Sequence, residues 1–372
     1  MTSFFRSQKR FLSSATNLVR NNWTREEIRE IYKKPLLNLV YDAATVHRQF
    51  HDPSKIQQCT LLSIKTGGCT EDCGYCAQSS RYSTGVKATR LMKKDEVLEK
   101  AKIAKAKGST RFCMGSAWRD LNGRTRTFKN ICDIIKGVRE LDMEVCVTLG
   151  MLNDQQAKEL KEAGLTAYNH NVDTSREYYS KIITTRTYDD RLNTLGSLRH
   201  AGLKVCSGGI LGLGEKEEDR IGLIHTLSTL PLHPESVPIN ALVPIPGTPV
   251  GDKVKKPVRF TDLLRTVATA RICMPKSIIR FSAGRMQYSE SEQAFTFLAG
   301  ANSVFTGDKM LTTPAVTWDE DSQLFHKWGL EGLKSFEYED GSSAQNEDKT
   351  FTLPPKQRLV EQEKQAEAVA TA

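Results

Sequence analysis

Three cysteines within eight residues carry the clearest chemistry in this sequence: Cys69-Thr-Glu-Asp-Cys73-Gly-Tyr75-Cys76. Three and then two intervening residues gather three thiolates in one compact loop. The preceding Gly67 and Gly68 let the backbone bend closely around a bulky group. Three thiolates are one short of a closed tetrahedral zinc site and one short of the four that a fully ligated 4Fe–4S cluster takes. An open ligand position is the mark of a catalytic centre rather than a structural one, because a substrate or a second cofactor can dock there. A zinc site completed by a distant fourth ligand is the bland alternative.

Three more cysteines fall inside apolar, β-branched runs: Cys113 in Arg-Phe-Cys-Met-Gly, Cys146 in Glu-Val-Cys-Val-Thr and Cys206 in Lys-Val-Cys-Ser-Gly-Gly. Side chains alternate faces along a strand. Arg111, Cys113 and Gly115 therefore share a face, as do Glu144, Cys146 and Thr148, and Lys204, Cys206 and Gly208. Charges beside the thiols point to a polar barrel lumen rather than an outer apolar surface. One buried strand cysteine is usually a small hydrophobe; three at similar strand positions make a second metal site an equal contender. Asn169, Asn171 and Asp173 stack along one face of another run. They would hydrogen-bond a ureido or amide group, a ribose, or each other, while His170 on the opposite face reads as a packing histidine. Arg280 and Ser282 share a face, and a lumen-facing guanidinium needs an anionic, sulfur-rich or carboxylate partner.

The elements that position these groups alternate strand and helix. Strand-like runs recur at 61–65, 111–115, 144–149, 167–172, 204–210, 236–242, 278–282 and 303–306. Helical stretches lie at 93–107, 127–141, 154–163, 188–201, 217–229, 261–272 and 289–298. Gly108, Gly164 and Gly202 sit just past helix ends, where a left-handed cap is wanted. Eight strands in βα alternation predict an α/β fold, a (β/α)8 TIM-type barrel, with an open doubly wound sheet as the alternative. Residues 26–58 read as an N-terminal helical segment capping the barrel bottom, 59–330 as the barrel and 331–372 as a mostly flexible tail. Residues 1–25 contain no Asp or Glu and have the composition of a mitochondrial transit peptide.

The formal charge of +9 includes five Arg and Lys within the first 25 residues. No later basic patch with interleaved aromatics is present, which argues against nucleic acid. No apolar run reaches membrane-spanning length. Nine cysteines, an odd number without a secretory signal, suit reduced thiols rather than a disulfide framework. Cys132 and Cys273 read as structural. Cys59, placed two residues before the first strand, reads as a spare thiol near the site.

The loop Cys69, Cys73, Cys76 with Tyr75 resembles the radical-SAM signature, and residues 208–215 resemble the Gly-x-Ile-x-Gly-x-x-Glu element of those barrels. Ser-Ile-Lys-Thr-Gly-Gly-Cys, Tyr-Asn-His-Asn-Val-Asp-Thr, Ile-Thr-Thr-Arg-Thr-Tyr and Ser-Ala-Gly-Arg extend the resemblance, over about two thirds of the chain, to the biotin synthases. That resemblance implies a 4Fe–4S cluster on Cys69, Cys73 and Cys76. It also implies a 2Fe–2S cluster on Cys113, Cys146, Cys206 and Arg280. S-adenosyl-L-methionine (SAM) and dethiobiotin would be held by Tyr75, Asn171, Asp173, Arg191, Ile210 and Asn240, with Arg191 on the methionyl carboxylate. No catalytic residue beyond the clusters is implied. Expected partners are a ferredoxin-type electron donor, the iron–sulfur assembly machinery and a second copy of the chain, in the mitochondrial matrix. A hydrogenase-cofactor or pyrrolysine maturase on the same barrel, or an iron–sulfur carrier, are the rival readings.

Overall fold

The eight expected strands close on themselves. The computed structural model describes residues 19–254 and 256–336. Its parallel strands are β1 (Lys55–Lys65), β2 (Arg111–Ser116), β3 (Glu144–Thr148), β4 (Ala167–Asn169), β5 (Lys204–Cys206), β6 (Gly209–Leu211), β7 (Ser236–Ala241), β8 (Ile278–Phe281) and β9 (Ser303–Phe305). They run β1-β2-β3-β4-β5-β7-β8-β9, and β9 pairs back onto β1. Closure decides for the barrel over the open sheet. β5 and β6 form one interrupted strand, broken at Ser207 and Gly208. A Cβ at Gly208 would lie 2.0 Å from the Pro238 carbonyl oxygen, so only glycine lets the chain cross β7 this closely.

Alternation sorts the side chains. Phe112, Met114, Val145, Val147, Tyr168, Val205, Ile279 and Phe281 join the apolar core beneath the helices. Cys59, Cys113, Cys146, Ala167 and Cys206 form a separate buried cluster inside the barrel. The expected helices form at Lys94–Ala106, Thr125–Arg139, Asp154–Glu162, Tyr188–His200, Glu217–Ser228, Phe260–Cys273 and Glu290–Leu298. Asn153, Thr187 and Ser289 cap three of them through reciprocal capping boxes, and Gly108, Gly164 and Gly202 take left-handed φ values after helix ends. Among the described residues no helix is long and apolar enough to cross a membrane.

Three boundaries need correction. β1 begins at Lys55, so Cys59 lies inside a barrel strand rather than ahead of it. The 26–58 segment supplies two helices, Arg25–Lys33 and Leu36–Phe50, packed along the outer helices Glu217–Ser228 and Phe260–Cys273. The barrel bottom is also reached by residues 331–336: residues 331–332 pair with the start of β1, and the Phe336 amide donates to Glu144 Oε1 at 3.2 Å. The tail expected from residue 331 is therefore anchored as far as 336, and residues 337–372 lie outside the described part. So do residues 1–18, which hold most of the transit-peptide composition. Residues 19–25 belong to the fold: Trp23 is buried, its Nε1 donates to the Cys273 carbonyl at 3.1 Å, and Thr24 caps the first helix.

Candidate active site in the barrel lumen

The three-cysteine loop leaves β1 at the C-terminal mouth of the barrel, where barrel enzymes keep their chemistry. Gly67 and Gly68 turn it at φ +68° and +67°. The Gly74 amide donates to the Ile182 carbonyl at 2.9 Å, and Asp72 accepts from the Thr184 amide at 2.9 Å and the Thr185 hydroxyl at 2.9 Å. The loop is thus clamped to residues 182–185. Cys69, Cys73 and Cys76 line a cleft of about 330 Å³ together with Tyr75, Asn169, Asn171, Asp173, Arg191, Ile210 and Asn240.

Burial pushes the Cys73 thiol up to about 12 and Cys76 to about 11, and it raises Cys69 as well. Without a positive centre these sulfurs stay protonated; a bound metal would remove their protons. The three loop thiols face a shared cleft, which suits a cluster that spreads its ligands over several irons. Two buried charges at the loop are also incompletely used. Glu71 Oε1 and the Nε and Nη1 of Arg186 have no hydrogen-bond partner among the described residues, although Arg186 lies 3.6 Å from Glu71. Sequence reasoning missed both. The only signal was that Arg186 falls in the quoted Ile-Thr-Thr-Arg-Thr-Tyr string.

Deeper in the lumen Cys113 and Cys146 face each other in register, and Cys206 sits opposite Asn169. The Arg280 guanidinium meets this layer. Its Nη1 lies 3.6 Å from Cys206 Sγ, its Nη2 lies 3.3 Å from Cys59 Sγ and 3.1 Å from Gln57 Oε1, and its Nε donates to Ser303 Oγ at 2.9 Å. The sulfur-rich partner expected for Arg280 is therefore present. A hydrogen bond from the Cys146 thiol, working against burial and helped by Arg280, draws Cys206 down to about 6. Beneath it Arg111 and Glu144 form a buried ion pair.

Between the two thiol sets runs the polar ladder. Asn169 Nδ2 donates to Asn171 Oδ1 at 3.2 Å and lies 3.3 Å from Cys206 Sγ. Asp173 adopts a left-handed φ of 68°, an uncommon conformation for a non-glycine residue. The backbone bonds of its N–H to Gly208 and its carbonyl to Ile210 hold it there. Its carboxylate pairs with Arg191, whose Nε also donates to the Tyr179 hydroxyl at 3.0 Å. Arg191 thus reaches the cleft already engaged with Asp173. Asn240 Nδ2 donates to the Gly209 carbonyl at 2.9 Å, and its Oδ1 accepts from the Ala283 amide at 3.1 Å. His170 is buried against Tyr168, and burial holds it neutral; it departs from the expected packing role in that it also lines the cleft and its Nε2 has no hydrogen-bond partner among the described residues. The roof was not anticipated: Met310, Leu311, Thr312 and Thr313 also line the cleft.

Comparison with known proteins agrees with this geometry. Residues 63–227 match the Radical SAM superfamily profile, and residues 238–331 match that of the Biotin and Thiamin Synthesis associated domain. A Schizosaccharomyces pombe protein named biotin synthase is 77% identical over 347 residues, covering 93% of this chain and 95% of the relative. The chain belongs to the biotin synthase family. Emericella nidulans and Saccharomyces cerevisiae proteins, both named as mitochondrial biotin synthases, are 63% and 55% identical over 88% and 86% of the chain. They cover 83% and 86% of those relatives. Biotin synthases are radical-SAM enzymes carrying a 4Fe–4S cluster, SAM and an additional 2Fe–2S cluster, and the two thiol sets suit that complement in number and chemistry. Solved structures with the same fold include a methylornithine synthase (TM-score 0.70, 19% identity, 84% of this chain and 94% of that one). A maturase of the [FeFe]-hydrogenase also matches (TM-score 0.72, 17% identity, 83% and 72%). At these identities the likeness extends to the fold alone.

Proposed function

We propose that this chain converts dethiobiotin to biotin by radical-SAM sulfur insertion in the mitochondrial matrix. The observation that carries the reading is the presence of two thiol sets in one lumen, three at the mouth and a deeper layer holding Cys113, Cys146 and Cys206 with Arg280, alongside the polar side chains of Asn169, Asn171 and Asp173. When bound, the mouth cluster and SAM supply a 5′-deoxyadenosyl radical, and the inner 2Fe–2S cluster supplies the sulfur. Cys69, Cys73 and Cys76 hold the first group, with Tyr75 against it. Cys113, Cys146 and Cys206 hold the second, with Arg280 at its remaining corner. Asn171 and Asp173 orient the dethiobiotin ureido group and the adenosyl ribose. Ile210 and Asn240 wall the adenosyl side, and Arg191, steadied by Asp173, faces the methionyl carboxylate.

The protein's own contribution is position and exclusion. Residues on rigid strands fix the spacing between reacting groups, and a closed lumen keeps water and stray hydrogen donors from the radical. A ferredoxin-type donor, the iron–sulfur assembly machinery and a homodimeric state complete the proposal. Anaerobic reconstitution with iron and sulfide counting, followed by incubation with SAM and dethiobiotin, tests it. Both clusters and formation of 5′-deoxyadenosine together with biotin are expected. Iron bound at the mouth alone, or no 5′-deoxyadenosine in the presence of dethiobiotin, overturns it.

A further inference from the structure

Cys59 is a fourth thiol in the layer of Cys113, Cys146 and Cys206. It is wholly buried, and β1 points it into the lumen between Gln57 and Leu61. A buried cysteine is most often a small hydrophobe, but the surroundings here are polar. Its Sγ lies 3.6 Å from Gln57 Oε1, 3.8 Å from Ser303 Oγ and 3.3 Å from Nη2 of Arg280. An iron reached by Nη2 of Arg280 is therefore within reach of the Cys59 sulfur. The two donors differ in kind. A thiolate is the ordinary protein ligand of an iron–sulfur cluster, whereas a guanidinium offers no lone pair until it loses a proton. In this structure Arg280 behaves as a donor, aimed at Ser303, Gln57, Cys59 and Cys206.

We propose that Cys59 is a fourth thiolate ligand available to the inner cluster, sharing with Arg280 the corner that Cys113, Cys146 and Cys206 leave open. The inference rests on the reading that the strand thiols hold a 2Fe–2S cluster. Exchange at that corner breaks one iron–nitrogen bond and forms one iron–sulfur bond. The Cys59 thiol proton passes to the departing guanidine nitrogen, which becomes the cation beside an all-thiolate cluster, and no electron moves. An iron released from arginine thus has a second protein ligand waiting within the same layer.

The test uses full-length Arg280→Met and Arg280→Met/Cys59→Ser chains, reconstituted anaerobically beside the natural chain. Iron and sulfide are counted, and the inner cluster is read by absorption and Mössbauer spectroscopy, with the mouth cluster as the folding control in the same molecule. Arg280→Met is expected to keep its inner-cluster iron and to show all-thiolate coordination. The double variant is expected to keep the mouth cluster and lose at least half of the inner iron. A double variant loaded like Arg280→Met, or an Arg280→Met spectrum with an oxygen or nitrogen ligand at the fourth corner, overturns the proposal. Should the double variant lose both clusters, the Arg280→Met spectrum decides alone. Iron found only at the mouth of the natural chain, or an inner cluster untouched by Cys113→Ser/Cys146→Ser, defeats the parent reading instead.

Discussion

Replacing Glu144 by Gln probes the floor of the lumen. Glu144 Oε2 accepts from Arg111 Nε at 2.8 Å and from Nη2 at 2.5 Å, and the two side chains are only 1% and 3% exposed. Burial raises the Glu144 pKa, but the adjacent Arg111 outweighs it and holds the carboxyl below its ordinary value. Removing one partner of a buried pair costs about 3–5 kcal/mol, because the other charge is left uncompensated. Two features of the site bring the expectation to the lower end. Gln keeps one carbonyl oxygen that can still accept from Arg111, and burial already weakens the neighbouring Lys204 cation, which limits the uncompensated charge. We expect Glu144→Gln to lose about 3 kcal/mol at neutral pH, measured by urea unfolding of the cluster-free chain. A carboxyl held low in the folded state contributes its full stability above the unfolded value near ~4.3, and that contribution fades as pH falls. Natural and variant chains should therefore converge in acid. An Arg111→Met/Glu144→Leu chain should recover most of the loss, since apolar replacement of a whole buried pair is often neutral. A single-variant cost below about 1 kcal/mol, or a double variant as weak as the single, would refute the assignment of the lumen floor to this pair.

Three other expectations follow from the same structure. Burial holds His47 down to about 2, while the unfolded chain takes up that proton near ~6.5. Stability should therefore decline by about 1.4 kcal/mol per pH unit from this residue well below that value, and His47→Leu should flatten the slope by about one proton in unfolding measured between pH ~4 and ~6. Gly208→Ala would drive a Cβ into the Pro238 carbonyl oxygen at 2.0 Å. A loss of about 3 kcal/mol is expected, seen as a lowered melting temperature; an unchanged melt would mean that β5 and β6 can separate freely. A chain beginning at Arg25 lacks Trp23 and its bond to Cys273. It should be less stable by about 3 kcal/mol than one beginning at Val19, and equal melting temperatures would place residues 19–24 outside the fold's energetics.

By itself the sequence determined what is local or periodic. The Cys69, Cys73, Cys76 loop is legible because its ligands lie within one turn of chain, and the barrel because strand and helix periods alternate along it. The inward set of Arg111, Cys113, Glu144, Cys146 and Cys206 follows from a period of two. Only the tertiary structure decided what closure brings together. Cys59 sits in the polar run Lys55-Ile-Gln-Gln-Cys, which carries no strand pattern of its own. The β1–β9 pairing buries it and sets it against Arg280, 221 positions away. The same holds for Trp23 on Cys273, for residues 331–336 beneath the barrel and for Arg191 pairing with a left-handed Asp173. These contacts depend on the ring of strands being complete. Residues far apart in the chain become neighbours only when the last strand meets the first, and no short window of sequence carries that information.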